Sequence, residues 1–143
     1  MIKYDHSYSV SIILPILNEI NSLKKTIKVL NKIDVQKEYL IIYSEKLTNE
    51  NVKKEIVNLK KRNKNISYKS QRRPFVGGAI DLGIKLAKKN YIAIMASDLE
   101  TNPYELKNMI KVSKKNPGCI ISADRWISQK GFYNYGIIKF LAN

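Results

Sequence analysis

The stretch Gly77–Glu100, GGAIDLGIKLAKKNYIAIMASDLE, decides the fold. In its first half, which begins at Gly77-Gly78, apolar residues recur at the spacing of an α-helix. Its second half, Tyr91–Met95, is a short run that is apolar on both faces, which is typical of a buried parallel strand. The helix residues predicted to face the sheet are Ile80, Ile84 and Ala87. A helix that leads directly into a buried strand predicts a βαβ unit.

Outward from this stretch, the same alternation of strand and helix patterns continues in both directions. The other predicted strands are Val10–Leu14, which Pro15 ends, Tyr39–Tyr43, Ile66–Tyr68 and Cys119–Ser122. The first helix is predicted from the apolar residues Ile20, Leu23, Ile27, Val29 and Leu30, with a cap at Asn21 or Ser22. The second is predicted from Val52, Ile56 and Leu59. A later helix starts at Asn102-Pro103 with Leu106, Met109 and Ile110 facing inward, and a last one covers Gly136–Leu141. This order predicts an α/β domain with a mostly parallel sheet.

Length and composition narrow the class of protein further. With 143 residues, we expect a single domain over residues 1–143. The net charge of +14 is carried by 22 lysines and only 4 arginines. A surface selected for nucleic acid relies more on arginine, so we expect no specific nucleic-acid binding and a weak attraction to anionic membranes.

Cysteine, histidine and hydropathy exclude several further classes. Cys119 is the single cysteine and has no partner for an internal disulfide, which rules out a disulfide-stabilised secreted fold. His6 is the single histidine, so a catalytic triad that needs histidine would have to use it. No apolar run reaches the length of a membrane span, and no signal peptide is recognisable. We therefore expect a cytoplasmic chain, peripheral at the inner face of the cell membrane.

Candidate site residues follow the predicted strands, because open parallel sheets bind ligands beyond the carboxyl ends of their strands. Asp98 and Glu100 come directly after the strand Tyr91–Met95. In an extended segment, two residues separated by one lie on the same side. Such a pair of hard oxygen donors can hold Mg²⁺ or Mn²⁺. An alternative is that Asp98 belongs to a helix-capping loop, and that Asn18-Glu19 is an ordinary turn with an acid at a helix start.

Three segments together resemble family 2 glycosyltransferases of the GT-A fold. They are VSIILPILNEINSLKKTI from Val10, the block from Gly77 to Ile110, and CIISADRW ending at Trp126. The similarity covers roughly Val10–Arg125 and is greatest to dolichol-phosphate mannose synthase-like, polyprenyl-phosphate sugar transferases. It implies a Rossmann-like three-layer α/β/α fold with a mostly parallel sheet.

The resemblance also implies roles for individual residues in binding a nucleotide-sugar. Pro15, Asn18 and Glu19 would border the nucleobase and ribose. Asp98 would hold a divalent cation on the diphosphate, with Glu100 where some relatives have a second ligand. Arg125 would meet the diphosphate, and Gly77-Gly78 matches the family's glycine-rich helix start.

The chain departs from the family pattern at several positions. Ala96 stands where relatives have the first acid of Asp-x-Asp. After the second strand, relatives have an acid that contacts the nucleobase, and Glu45 is the residue of this chain that would take its place. The loop before Gly77 reads Arg72-Arg73-Pro74-Phe75, where Arg72 or Arg73 could meet phosphate.

Length sets the last expectation. In the family, the catalytic base and acceptor region lie beyond the position of Arg125, so a chain that stops at Asn143 is expected to be truncated at its carboxyl end and no base is assigned. One hypothesis is an inverting, metal-assisted transferase that uses a polyprenyl-phosphate or glycan acceptor. The other is a non-catalytic nucleotide-binding or scaffold fragment of that family.

Overall fold

Four strands and four helices alternate in the computed structural model, which describes residues 8–98 and 102–123. In chain order they are β1 Ser9–Ile16, α1 Ile20–Leu30, β2 Gln36–Ser44, α2 Glu50–Arg62, β3 Ile66–Gln71, α3 Phe75–Leu86, β4 Tyr91–Ile94 and α4 Glu105–Lys115. The chain divides into two compact units after Leu106, so the sheet and α1–α3 lie in the first and α4 crosses the boundary. The predicted alternation is confirmed for these eight elements.

The four strands form one parallel sheet in the order β3-β2-β1-β4. Ile13 of β1 lies opposite Leu40 of β2 and Ile94 of β4. Ala79 of α3 packs with Ile13, Leu40 and Ile42 on one face of the sheet. Because right-handed crossovers to the two sides of β1 place their helices on opposite faces, α1 and α2 cover the other face. The predicted Rossmann-like α/β/α arrangement is therefore correct.

The core is centred on β1. Ile12, Ile13 and Leu14 have no solvent exposure, because helices cover both faces of this strand. Tyr39 of β2 is also fully buried, and its hydroxyl donates a hydrogen bond of 2.7 Å to Asn31 Oδ1 after α1. Burial raises the pKa of Tyr39 well above its ordinary value, so this phenol remains a neutral donor.

Pro15 does not end β1, which continues to Ile16. Ile13 O accepts a hydrogen bond from Met95 N, so the polar groups of Ile13 point toward β4. The backbone polar groups of Pro15, two residues later, also point toward β4, but β4 has already ended at Ile94. The missing N–H of Pro15 therefore costs no ladder hydrogen bond.

The inward face of α3 differs from the prediction. Its buried residues are Gly78, Ala79 and Gly83. Of the predicted inward residues, Ala87 does pack against the core and Ile80 is half-buried, whereas Ile84 is 48% exposed. A Cβ added at Gly83 would lie 2.5 Å from Ile13 Cγ2. Small residues allow α3 to approach the sheet this closely, and the larger Ile84 is turned outward.

Other boundaries and exposures also differ. β4 is predicted to be buried on both faces, but Ile92 and Ile94 are 44% and 52% exposed. β4 lies at an edge of the sheet among the described residues, and α3 packs mainly over β1 and β2 instead. Cys119–Ser122 forms no strand, and Ile120 there is almost fully exposed. In α4, which begins at Glu105, Leu106 is buried. The predicted helix over Gly136–Leu141 lies outside the described residues.

Candidate functional site at the carboxyl edge of the sheet

The strand order creates a topological switch point between β1 and β4. The chain passes from β1 to β2 and β3 on one side and then crosses to β4 on the other side of β1. In open α/β sheets, ligands bind beyond the carboxyl ends of the strands at such a switch point. Asn18 and Glu19 follow β1, and Ser97 and Asp98 follow β4, so the topology brings the two predicted segments to this place.

A hydrogen bond joins these two segments directly. Ser97 is buried, and its Oγ donates to the carbonyl oxygen of Pro15 at 2.8 Å. The bond uses the carbonyl that β4 leaves unpaired when it ends at Ile94. Asp98, the next residue, is exposed. Ser97 therefore holds the start of the acidic segment against the end of β1.

The turn after β1 is fixed by its own side chains. Glu19 Oε2 accepts hydrogen bonds from the backbone N–H groups of Leu17 and Asn18, each at 3.0 Å. Glu19 occupies the position before α1. The predicted caps Asn21 and Ser22 are wrong, since both lie inside the helix and it has no side-chain cap.

Asn18 links this turn to the next loop. Its Oδ1 accepts a 2.9 Å hydrogen bond from the backbone N–H of Asn49, the residue before α2. This bond fixes the orientation of the Asn18 side chain and leaves both amide N–H groups to donate to a ligand. Pro15, Asn18 and Glu19 thus lie together at the end of β1, beside the loop that follows β2.

Glu45 lies at the end of β2 in an ion pair. Lys53 Nζ donates to Glu45 Oε1, to the Glu45 carbonyl and to Glu50 Oε1, each at 2.8 Å. The hydrogen bond from Lys53 lowers the pKa of Glu45, with smaller contributions from Tyr43 and Ser70. The same acids raise the pKa of Lys53. Both groups are therefore charged at neutral pH and hold the loop to the first turn of α2.

Gly77 and Gly78 lie in the first turn of α3, which begins at Phe75, two residues earlier than predicted. A Cβ on Gly78 would lie 2.4 Å from the Arg73 carbonyl oxygen, whereas one on Gly77 would meet nothing within 4 Å. Gly78 is thus required because the preceding loop folds against the helix. A phosphate-binding role for either glycine stays a prediction.

The remaining candidates are arginines and the second acid. Arg72 and Arg73 are exposed, and Arg73 Nη1 lies 3.3 Å from Asp81 Oδ2 in α3. Arg125 and Glu100 lie outside the described residues. In the part of the chain that the structure describes, no three His, Cys, Asp or Glu side chains converge on one point. Asp98 suits a divalent cation as a hard oxygen donor at the switch point, but it would need further ligands, such as Glu100 and oxygens of a bound diphosphate.

Sequence reasoning assigned no role to three residues that organise this edge: Ser97, Asn49 and Lys53. Asn49 had a local signal, because asparagine before a helical pattern is a common helix-start residue. Ser97 and Lys53 had none, since their partners Pro15 and Glu45 lie on other elements.

A cavity of about 460 Å³ lies at the opposite edge, between the carboxyl ends of α1 and α2. Lys24, Lys28, Arg62 and Lys64 line it. Lys28 and Arg62 lie in the last turns of α1 and α2, where cations offset the partial negative charge of the helix ends. Lys24 pairs with Glu55 of α2, so these three cations have a structural explanation. No helix of the described residues is long and apolar enough to cross a membrane.

The fold defines a class of protein, the doubly wound α/β domains, which bind their ligands at the carboxyl edge of a parallel sheet. Residues 11–140 match glycosyl transferase family 2, and the chain belongs to this family. A comparison with curated proteins finds no match.

Proposed function

We propose that this chain transfers a sugar from a nucleoside-diphosphate sugar to a lipid-phosphate or glycan acceptor. Membership of glycosyl transferase family 2 supports glycosyl transfer in general. The observation that carries the donor site is the Ser97–Pro15 hydrogen bond, which holds the segment of Asp98 beside the turn of Asn18 and Glu19. A carboxylate at a switch point is well placed to hold the divalent cation that accompanies a bound diphosphate.

The proposed roles of the described residues rest on their positions along the sheet edge, whereas those of Arg125 and Glu100 rest on the resemblance of their sequence segments to the family. Pro15, Asn18 and Glu19, with Glu45 in the next loop, border the nucleobase and ribose. Gly77-Gly78 and Arg125 contact the diphosphate. Asp98 and Glu100 hold Mg²⁺ or Mn²⁺, which when bound neutralises charge on the departing nucleoside diphosphate.

The proposed acceptor is a polyprenyl phosphate, as in dolichol-phosphate mannose synthase-like transferases, or a growing glycan. Direct attack of this acceptor on the anomeric carbon breaks the bond to the diphosphate and inverts the configuration. We assign no residue of this chain as the base that removes the acceptor proton. The proposed location is the cytoplasmic face of the membrane, where the chain contacts anionic lipids peripherally.

Calorimetric titration with UDP- and GDP-sugars in the presence of Mn²⁺ tests the donor site. We expect binding by the wild-type chain and a loss of at least about tenfold in affinity in Asp98→Asn, because one charge-assisted contact is removed. Asp34→Asn is the matched control, since Asp34 is an exposed acid in the loop between α1 and β2, at the opposite edge. It should bind like wild type.

Two results would contradict the donor site: no binding of any such donor, or equal affinity in Asp98→Asn and wild type. A second assay follows transfer of a radiolabelled sugar to polyprenyl phosphate. Donor binding without any transfer would identify the chain as a nucleotide-binding module without catalysis.

A further inference from the structure

Apolar side chains are exposed in three neighbouring segments at the carboxyl edge of the sheet. Leu17 follows β1, Leu47 follows β2, and Phe75 and Val76 begin α3 after the loop that follows β3. Leu47, Phe75 and Val76 are 67%, 84% and 63% exposed. Because β3, β2 and β1 are adjacent parallel strands about 4.8 Å apart, these segments lie side by side. We call Leu17, Lys46-Leu47 and Arg72–Val76 together the loop edge.

Cations accompany these apolar side chains. Lys46, Arg72 and Arg73 of the loop edge are all exposed. The loop edge itself contains no acid. Of the acids beside it, Glu45 is paired with Lys53, whereas Glu19 keeps its negative charge while it accepts two backbone hydrogen bonds of its own turn. Asp81 is shared between Arg73 and Lys85. The loop edge therefore presents positive charge around exposed apolar groups.

The most exposed of these residues is held in place by contacts on both sides. Phe75 has a φ of 63°, a left-handed conformation that is rare for an aromatic residue. Its carbonyl accepts a hydrogen bond from Gln71 Nε2 at 3.3 Å, and the Arg73 carbonyl lies against Gly78. The loop thus keeps an unfavourable conformation in which Phe75 stays in solvent, which calls for a reason outside the fold.

We propose that the loop edge docks on an anionic lipid bilayer. Leu47, Phe75 and Val76 enter the boundary between headgroups and acyl chains, and Lys46, Arg72 and Arg73 meet lipid phosphates. Apolar insertion combined with attraction of cations to anionic lipid is the usual basis of peripheral membrane binding. Lysine is depleted at the centre of protein–protein interfaces, whereas here Lys46 lies directly beside the exposed Leu47.

This contact has a consequence for the reaction. The loop edge continues along the sheet to the switch point at β1 and β4, so docking brings that point near the membrane surface. A polyprenyl-phosphate acceptor, whose phosphate lies at that surface, would then reach the donor. This consequence rests on the proposed function, whereas binding to lipid needs no sugar donor.

Co-flotation with vesicles tests the docking surface. We expect binding to vesicles of phosphatidylglycerol and phosphatidylcholine, little binding to phosphatidylcholine alone, and release by salt. Phe75→Ser combined with Val76→Ser should lower binding about tenfold, and so should Arg72→Gln combined with Arg73→Gln. The matched controls are Ile84→Ser, an exposed apolar residue on α3, and Lys25→Gln with Lys28→Gln on α1. Both should bind like wild type.

A Phe75→Trp variant reports insertion independently of affinity. Relative to wild type, whose single tryptophan is Trp126, its added emission should shift to the blue on anionic vesicles and be quenched by brominated lipid. Thermal unfolding of every variant verifies that each is folded. Unchanged vesicle binding in both edge variants would overturn the proposal. So would an edge-dependent dimer in sedimentation without vesicle binding, since a second copy would then cover the surface. Donor titration without vesicles is unaffected by either outcome, so the two proposals fail separately.

Discussion

Two glycines of α3 lie so close to other parts of the chain that no side chain fits. Gly78 faces the Arg73 carbonyl and Gly83 faces Ile13. The two contacts set different features: Gly78 lets the loop before α3 fold back, and Gly83 sets the distance from α3 to the sheet. Gly77, by contrast, faces open space, so a glycine there has no packing reason within the described structure.

Gly83→Ala should destabilise the protein. The added Cβ would lie 2.5 Å from Ile13 Cγ2. Because Ile13 is fully buried, its side chain has no room to move away from the added methyl group. We expect a loss of about 1–3 kcal/mol in the free energy of unfolding, measured by urea denaturation. Gly77→Ala is the control and should be neutral or stabilising by up to about 1 kcal/mol, since alanine favours a helix. Equal stability of Gly83→Ala and wild type would show that α3 is not packed this closely.

At the scale of elements, side chains at the ends of strands join one loop to the next. Ser97 joins the end of β4 to β1, Asn18 joins the turn after β1 to the start of α2, and Lys53 joins α2 to the loop after β2. Predicting strand and helix ends was enough to locate Asn18 and Asp98. Predicting these links was not, because each joins residues on different elements.

The Glu45–Lys53 pair should make stability depend on pH. The folded pKa of Glu45 is below its ordinary value of 4.5, so its contribution is present above that value and is lost as the pH falls through the folded pKa. Lys53 has a raised pKa, so its contribution is present below 10.5 and is lost only at higher pH. Glu45→Gln should therefore be less stable than wild type between about pH 6 and 9, with the difference shrinking below about pH 4.

Urea denaturation across this pH range measures the effect. The same Glu45→Gln substitution in a Lys53→Met background serves as the control, and its pH dependence should be much weaker because the partner is gone. A difference between Glu45→Gln and wild type that persists unchanged at pH 3 would argue against the pair.

At the scale of the whole molecule, strand order decides which residues are buried. β1 lies between β2 and β4 with helices on both faces, whereas β4 has one strand neighbour among the described residues. Ile13 and Ile94 lie opposite each other in register, yet Ile13 is fully buried and Ile94 is 52% exposed. Two isoleucines in similar apolar runs thus have different environments.

Shortening these two isoleucines should have unequal effects. Ile13→Ala should cost about 2–5 kcal/mol in the free energy of unfolding, because it leaves a cavity in the packed core. Ile94→Ala should cost less than about 1 kcal/mol, since solvent already reaches that side chain. Ile13→Val, expected to cost about 0.5–1.5 kcal/mol, is the measurement to use where Ile13→Ala does not fold. Comparable losses at both positions would contradict the strand order.

The sequence by itself determined the succession of strands and helices, the parallel α/β class and the placement of Asn18, Glu19 and Asp98 after strands. These depend on apolar period and run length, which are local properties. Only the tertiary structure decided the order of the strands, the exposure of β4, the inward face of α3 and the outward position of Phe75. Each of these depends on which distant residues become neighbours. The small residues Gly78 and Gly83 carry no apolar period, so the close contacts that turn Ile84 outward leave no trace in a hydrophobic pattern.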